Sequence, residues 1–367
     1  MKTLIKHEIK NLMAFIIIFF SGAIIMGGTG LSFAAHKYND FITNDELKFI
    51  ISNDIDSDLL STLQSILEQS QVYIIGLILF MIYFQFKEIK DANVSEFIFS
   101  LPFTAKTILT VKILVGVSIL TLSSIIVGIF FCVSYLNLAP IFNELRDIHP
   151  LGEGYAQIHS FFSYIAILIR FLLNMLTCYL FFVMTQFLVK KTGPSIIISI
   201  LGLMAIPYIL YAINFFSFSS NKSVVIGIFF NDIVQILHEI LYFESERIQT
   251  VVAVGNEWYQ QYICIYNVSF IELTLIFMNL FFLSVSFYLV EKIGFTRFEY
   301  FTCSKNLDII LKVLVTICCA ILPVYQTITF TRINFASLIV MIISAGIGYF
   351  VINKIITKEI EKEGGTI

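Results

Sequence analysis

FFSYIAILIRFLLNMLTCYLFFVMTQFL, residues Phe161 to Leu188, carries a single charge, Arg170, in 28 positions. A helix that is apolar on every side belongs in a protein core or in lipid. About 20 such residues cross the roughly 30 Å of hydrocarbon in a bilayer, so the stretch reads as a transmembrane span with length to spare, about 42 Å at 1.5 Å per residue. Marking the charges along the rest of the chain gives seven more runs. They are Met13 to Phe33, Val72 to Phe86, Ile113 to Leu136, Ser195 to Phe216, Ile271 to Val290, Ile309 to Tyr325 and Phe335 to Ile356.

The whole composition agrees. Of 367 residues 58% are hydrophobic and 13% charged, and the mean hydropathy is +0.88. A soluble domain carries about 25% charge, twice what is available here to cover a surface in water. No charge-rich or polar tract leaves room for a disordered tail or a large soluble domain. The net charge of −3 excludes, on bulk charge, a basic nucleic-acid binder. The expected fold is all-α, a single transmembrane domain over 1–367 with about eight spans. The first run is too long for the apolar part of a signal peptide and is expected to stay as the first span.

A ninth candidate, Ser223 to Phe243, contains Asp232, His238 and Glu239, each costly at bilayer depth. The distribution of basic residues decides against it. With eight spans and the N-terminus inside, 16 Lys and Arg face the cytoplasm and 6 face out; a ninth span levels the count at 11 each. The positive-inside rule therefore selects eight spans with both termini cytoplasmic. Ser223 to Phe243 then becomes an amphipathic or re-entrant helix within a large outer loop, 217–269. Fifteen acids against six basic residues make the outer segments negative.

Chemistry of the usual enzymatic kinds is missing. No GxxxxGK[ST] loop is present to cradle phosphates, and His7 and His238 begin HExxH-like strings that lack the second histidine. No GxSxG and no membrane-depth aspartate pair occurs. The six cysteines show no CxxC spacing and sit mostly in apolar runs, as small hydrophobes do. Neither catalytic, cofactor nor metal residues are expected in this chain. Arg170 is the one clear charge at membrane depth, and it is expected either to snorkel, to pair with Glu272 at the start of the sixth span, or to line a translocation path.

Two segments on the inner side carry more information. Phe86 to Leu114, "FKEIKDANVSEFIFSLPFTAKTILTVKIL", mixes small polar and bulky apolar residues, with Pro102 positioned to stop a helix. A short interfacial helix in the loop 87–107 is expected. Phe97, Ile98 and Leu101 fall at helical spacing, Glu96 with Glu88, Asp91 and Ser95 nearby can meet a basic or amide-rich groove on a soluble partner, Phe97 and Phe99 can anchor in a pocket, and Pro102 ends the helix. The N-terminal "MKTLIKHEIKNLM" gathers Ile5, Ile9, Leu12 and Met13 on one helical face, with Lys2, Lys6 and Lys10 along its edge. That is the pattern of a helix lying on the membrane surface.

These segments resemble ABC-2 type permeases, the transmembrane subunits of a class of ABC transporters. "EFIFSLPFTAKTILTVK" is similar to their cytoplasmic segment through Glu96, Leu101, Pro102, Thr104, Lys106 and Lys112, about 20 residues in all. The N-terminal 1–12 is similar to their amphipathic elbow helix. The resemblance implies that 87–107 is a coupling helix driven by a separate ATP-binding subunit, which would hold the ATP and magnesium. It also implies a homodimer or a homologous second permease, and export of a hydrophobic, peptide or lipid-like cargo through a bacterial cell membrane. Members of the family commonly have six spans, so the seventh and eighth are additions; Glu291 to Lys312 between the sixth and seventh offers a second contact for the ATPase. The rival readings are an ATP-independent transporter or channel, and a membrane sensor or scaffold using the acidic outer segments.

Small residues should mark close helix contacts, since lipid and leucine are equally apolar. Gly27, Gly28 and Gly30, and Ser344, Ala345, Gly346 and Gly348, are the expected positions. Trp258, with Tyr259, Tyr262 and Tyr266, reads as an aromatic belt at the outer headgroups.

Overall fold

The hydropathy pattern materialises as long helices. The computed structural model describes residues 2–43, 59–90, 103–148, 161–189, 191–219, 247–254, 257–264, 270–292, 302, 304–328 and 335–364. The helices are α1 (Lys2–Asn11), α2 (Met13–Thr43), α3 (Leu59–Lys90), α4 (Ala105–Ile148), α5 (Phe161–Leu188), α6 (Thr192–Ser219), α7 (Phe270–Lys292), α8 (Lys305–Ile328) and α9 (Phe335–Gly364).

Among the described residues six helical stretches are long and apolar enough to cross a bilayer, the architecture of a multi-pass membrane protein. They are Met13–Phe33, Ser65–Lys90, Ala105–Pro140, Tyr164–Leu188, Glu272–Lys292 and Ile339–Thr357. The two other expected spans also fall on helices, α6 and α8. Several helices outrun the apolar stretch that betrayed them. α4 has 44 residues, about 66 Å at 1.5 Å each, because backbone hydrogen bonding continues through polar residues that end a hydropathy window. Its start is set locally: Thr104 Oγ1 accepts from Thr107 N at 3.2 Å, capping one of the helix's orphan donors.

The described residues are helical as expected but for one short two-stranded sheet. Arg247–Val254 (β1) and Glu257–Cys264 (β2) form an antiparallel hairpin, with Arg247 opposite Cys264 and Val254 opposite Glu257. Both runs are rich in β-branched and aromatic residues and are separated by Gly255 and Asn256, a hairpin signal that a hydropathy reading passes over. Trp258, Tyr259 and Tyr262 thus belong to a strand. Ser223 to Phe243 and Tyr266 lie outside the described residues.

The chain forms two compact units: Met1–Met81, Thr110–Tyr179 and Tyr242–Leu280 in the first, Ile82–Leu109, Leu180–Leu241 and Phe281–Ile367 in the second. In the first, the expected small-residue contacts occur at Gly27 and Gly30. A Cβ on Gly27 would come within 2.5 Å of the Phe130 ring, and one on Gly30 within 2.6 Å of Phe131. Gly116 does the same for Tyr179. In the second unit α8 and α9 pack along each other. Gly348 approaches Cys319, where a Cβ would fall at 2.6 Å, and Lys312 Nζ donates to Asn353 Oδ1 at 2.7 Å. Leu311, Ile352 and Ile356 form a core with Val189. Gly28 and Gly346 meet nothing within 4 Å.

Candidate functional site

The N-terminal helix is short, and its burial is not the one its apolar residues announce. Ile5 is half-buried, but Ile9 and Met13 are exposed. The residues turned inward are Glu8, 2% exposed, and Leu12, fully buried. α1 leads into α2 through the single residue Leu12, with Leu12 N donating to Glu8 C=O and Ile16 N to Leu12 C=O. Glu8 sits there because it has a partner 104 residues away: Lys112 Nζ donates to Glu8 Oε2 at 2.8 Å. The two side chains are 3% and 6% exposed. The pair is anchored on the α4 side by Tyr179, whose hydroxyl donates to Lys112 C=O at 3.3 Å. Gly116, one turn further on, leaves room for that ring.

A second set of polar contacts gathers in the other unit around the ends of α3, α5 and α8. Lys90, the last residue of α3, donates to Val189 C=O at 2.8 Å and to Gln186 Oε1 at 3.3 Å. Ser195 Oγ also donates to Gln186 Oε1, at 2.6 Å, and Thr185 and Ser199 share a short hydroxyl contact. Lys90 thereby satisfies a carbonyl left free where α5 ends. Val189 pairs through its backbone with Thr302, and Thr302 N donates to Asp308 Oδ1 at 2.9 Å. Ser304 caps α8 through Leu307 N. On the surface of the same unit Lys106 Nζ meets Glu291 Oε2 at 2.9 Å.

These contacts bear on the residues singled out in the sequence. Glu88 is half-buried near the end of α3. Asp91, Ser95, Glu96, Phe97, Phe99, Leu101 and Pro102 lie outside the described residues, but their flanks, Lys90 and Lys106, are both anchored. Lys90 holds the end of α5, and Lys106 the end of α7. Arg170 is buried, 5% exposed, and Glu272 is half-buried in the first turn of α7; both are engaged in polar or electrostatic contacts. A carboxylate in that turn is favoured by the helix dipole.

Charge counting missed the uncharged amides. Gln71 Nε2 donates to Asn174 Oδ1 at 2.8 Å, a buried bond between α3 and α5 one turn from Arg170, and Asn279 Nδ2 donates to Leu173 C=O at 3.3 Å. Their signal was present, since an amide inside an apolar run must find a donor or acceptor on a neighbouring helix. Among the described residues no group of three or more His, Cys, Asp or Glu side chains comes together.

No protein-family model, no curated protein and no solved structure matches the chain.

Proposed function

We propose that the chain is the membrane-spanning subunit of an ATP-driven exporter in a bacterial cytoplasmic membrane, paired with a copy of itself or a homologous permease. A separate subunit binds and hydrolyses magnesium-ATP; this chain performs no catalysis. The observation that carries the reading is the Glu8–Lys112 pair. It joins the amphipathic N-terminal helix to the lysine that closes the "EFIFSLPFTAKTILTVK" segment. The two stretches that resemble ABC-2 permeases on separate grounds are thus clamped to each other.

The mechanical logic follows from the anchors. A partner pushing on 91–104 through Glu96, Phe97 and Phe99 loads Lys90 at the end of α3 and Lys106 at the start of α4. Their contacts pass the displacement to the ends of α5 and α7. Rigid helices carry such a displacement along their length into alternative packings of the bundle. The cargo is hydrophobic or amphipathic, since the spans offer apolar walls and few ionisable groups. Eight crossings, with α6 and α8 as the fifth and seventh, keep both termini and the anchors on the cytoplasmic side.

Copurification tests the reading. Tagged chain coexpressed with an untagged ATP-binding subunit should retain that subunit in detergent, and Glu96→Arg should release it while leaving insertion and expression intact. A chain that is always isolated alone, with wild-type behaviour of Glu96→Arg, would favour an ATP-independent transporter or a sensor; flux through the reconstituted chain would then choose the transporter. Sidedness is checked by single cysteines in a cysteine-free background. Ser219→Cys and Asn256→Cys should react with an impermeant maleimide from outside, and Ser304→Cys and Thr357→Cys should not.

A further inference from the structure

α1 has two sides, and its charges divide between them. Glu8, the only carboxylate of the helix, is 2% exposed and held by Lys112. Lys2, Lys6 and Lys10 recur at every fourth position on the side turned away from it, and all three are exposed. Among the described residues none of them meets a carboxylate. As a string of residues the helix holds three lysines and a glutamate that partly balances them. Once Glu8 is buried against Lys112, what the helix shows to its surroundings is a row of unopposed cations.

The apolar residues divide as well. Leu12 is fully buried, whereas Ile9 and Met13, beside the lysines, are 42% and 53% exposed. Met13 is the first residue of the first candidate span, and α1 runs into it through Leu12 with helical hydrogen bonding carried across the joint. The open face therefore begins at the edge of the hydrocarbon. At 1.5 Å per residue Lys10 and Lys6 lie about 5 and 11 Å along the helix from Met13. A headgroup layer is roughly 5–8 Å thick, and lysine stems reach across the difference. Two apolar side chains are thus set among ammonium groups at the depth where a leaflet passes from acyl chains to phosphates. Water would suit the lysines and leave Ile9 and Met13 unsatisfied. An anionic leaflet suits both, and it attracts basic residues lying within about a Debye length of its surface.

We infer that this face of α1 binds the headgroups of anionic phospholipids, with Lys6 and Lys10 on the phosphates and Ile9 and Met13 against the adjoining acyl chains. A helix lying on a membrane thereby acquires a preference among lipids. The site belongs to the single chain and needs no ATPase, so it stands or falls separately from the exporter reading.

The test uses the full chain reconstituted in phosphatidylcholine vesicles holding a minority of phosphatidylglycerol, with bromines on the acyl chains of one lipid or the other. A fluorophore on Ile17→Cys, in a cysteine-free background, reads which lipid lies beside the face; Ile17 is 59% exposed, one helical turn beyond Met13. The same fluorophore on Ile25→Cys, at a position 66% exposed and about two turns further into the span, is the control. At Ile17 quenching should report phosphatidylglycerol enriched about fivefold or more over its share of the vesicle, and at Ile25 no enrichment. Lys6→Gln with Lys10→Gln should abolish the enrichment, Lys6→Arg with Lys10→Arg should keep it, and salt near about 1 M should reduce it in the otherwise unaltered chain. If the glutamine variant fails to insert, seen as lost quenching at Ile25, the salt and arginine measurements decide. Equal quenching by the two brominated lipids at Ile17, or a preference that survives high salt, overturns the site. Quenching at Ile17 by aqueous iodide and by neither lipid overturns the lipid as its partner and gives the face to a soluble one.

Discussion

Lys112 and Lys106 lie six residues apart on α4, and each holds a carboxylate at nearly the same distance, 2.8 Å to Glu8 and 2.9 Å to Glu291. The side chains of the first pair are 6% and 3% exposed, those of the second 52% and 66%. Equal geometry therefore conceals unequal consequences. The exposed pair exchanges its partner for water at little cost. The buried pair has surrendered its hydration, and either member left alone becomes an uncompensated charge away from water. One of them fixes where α1 sits; the other can open and close without disturbing the bundle.

The largest expected effect comes from breaking the buried pair on one side only. Lys112→Ala should destabilise the protein by about 3–5 kcal/mol, read as a loss of thermal stability in detergent, whereas Glu8→Leu combined with Lys112→Met should recover most of it. A double variant no better than Lys112→Ala would show that Lys112 matters through Tyr179 or the α4 backbone instead.

Arg170 and Glu272 extend the contrast into the spans. If they act as a pair, Arg170→Ala and Glu272→Gln should each lower the melting temperature, and the combined variant should fall short of additivity by about 0.5–3 kcal/mol of coupling. Strict additivity would separate them. Under the exporter reading, an Arg170→Ala protein that stays stable and assembled with an ATPase but loses transport would move Arg170 into the path.

The smallest effect on stability belongs to Lys106→Ala, about 1 kcal/mol or less, diminishing further in high salt. Under the exporter reading the same variant should lower cargo-stimulated ATP hydrolysis while its melting temperature holds. Unchanged coupling would remove the Lys106–Glu291 contact from the proposed transmission.

The sequence made the spans legible because hydropathy over 20 residues is a local property of the chain, and six of the eight expected positions meet the criterion among the described residues. The β1–β2 hairpin escaped because each run has only eight residues, far short of the window that finds a span, and neither RIQTVVAV nor EWYQQYIC alternates cleanly enough to announce a strand. Glu8 escaped for a different reason: in "IKHEIK" it looks like one more surface charge, and its partner is 104 residues distant. Gln71, Asn174 and Gln186 were passed over because a search for charge does not register amides, although burial makes their hydrogen bonds matter.

The distance in sequence between Glu8 and Lys112 also sets a clock. A ribosome adding roughly 5–20 residues per second needs about 5–20 s to make the 104 residues that separate them. Throughout that interval α1 has no buried seat, because the lysine that neutralises Glu8 does not yet exist, and the carboxylate keeps its hydration. Two spans are synthesised before the third begins to supply Lys112. α1 is therefore made before its seat exists, and it docks only once the helix that carries Lys112 has followed it.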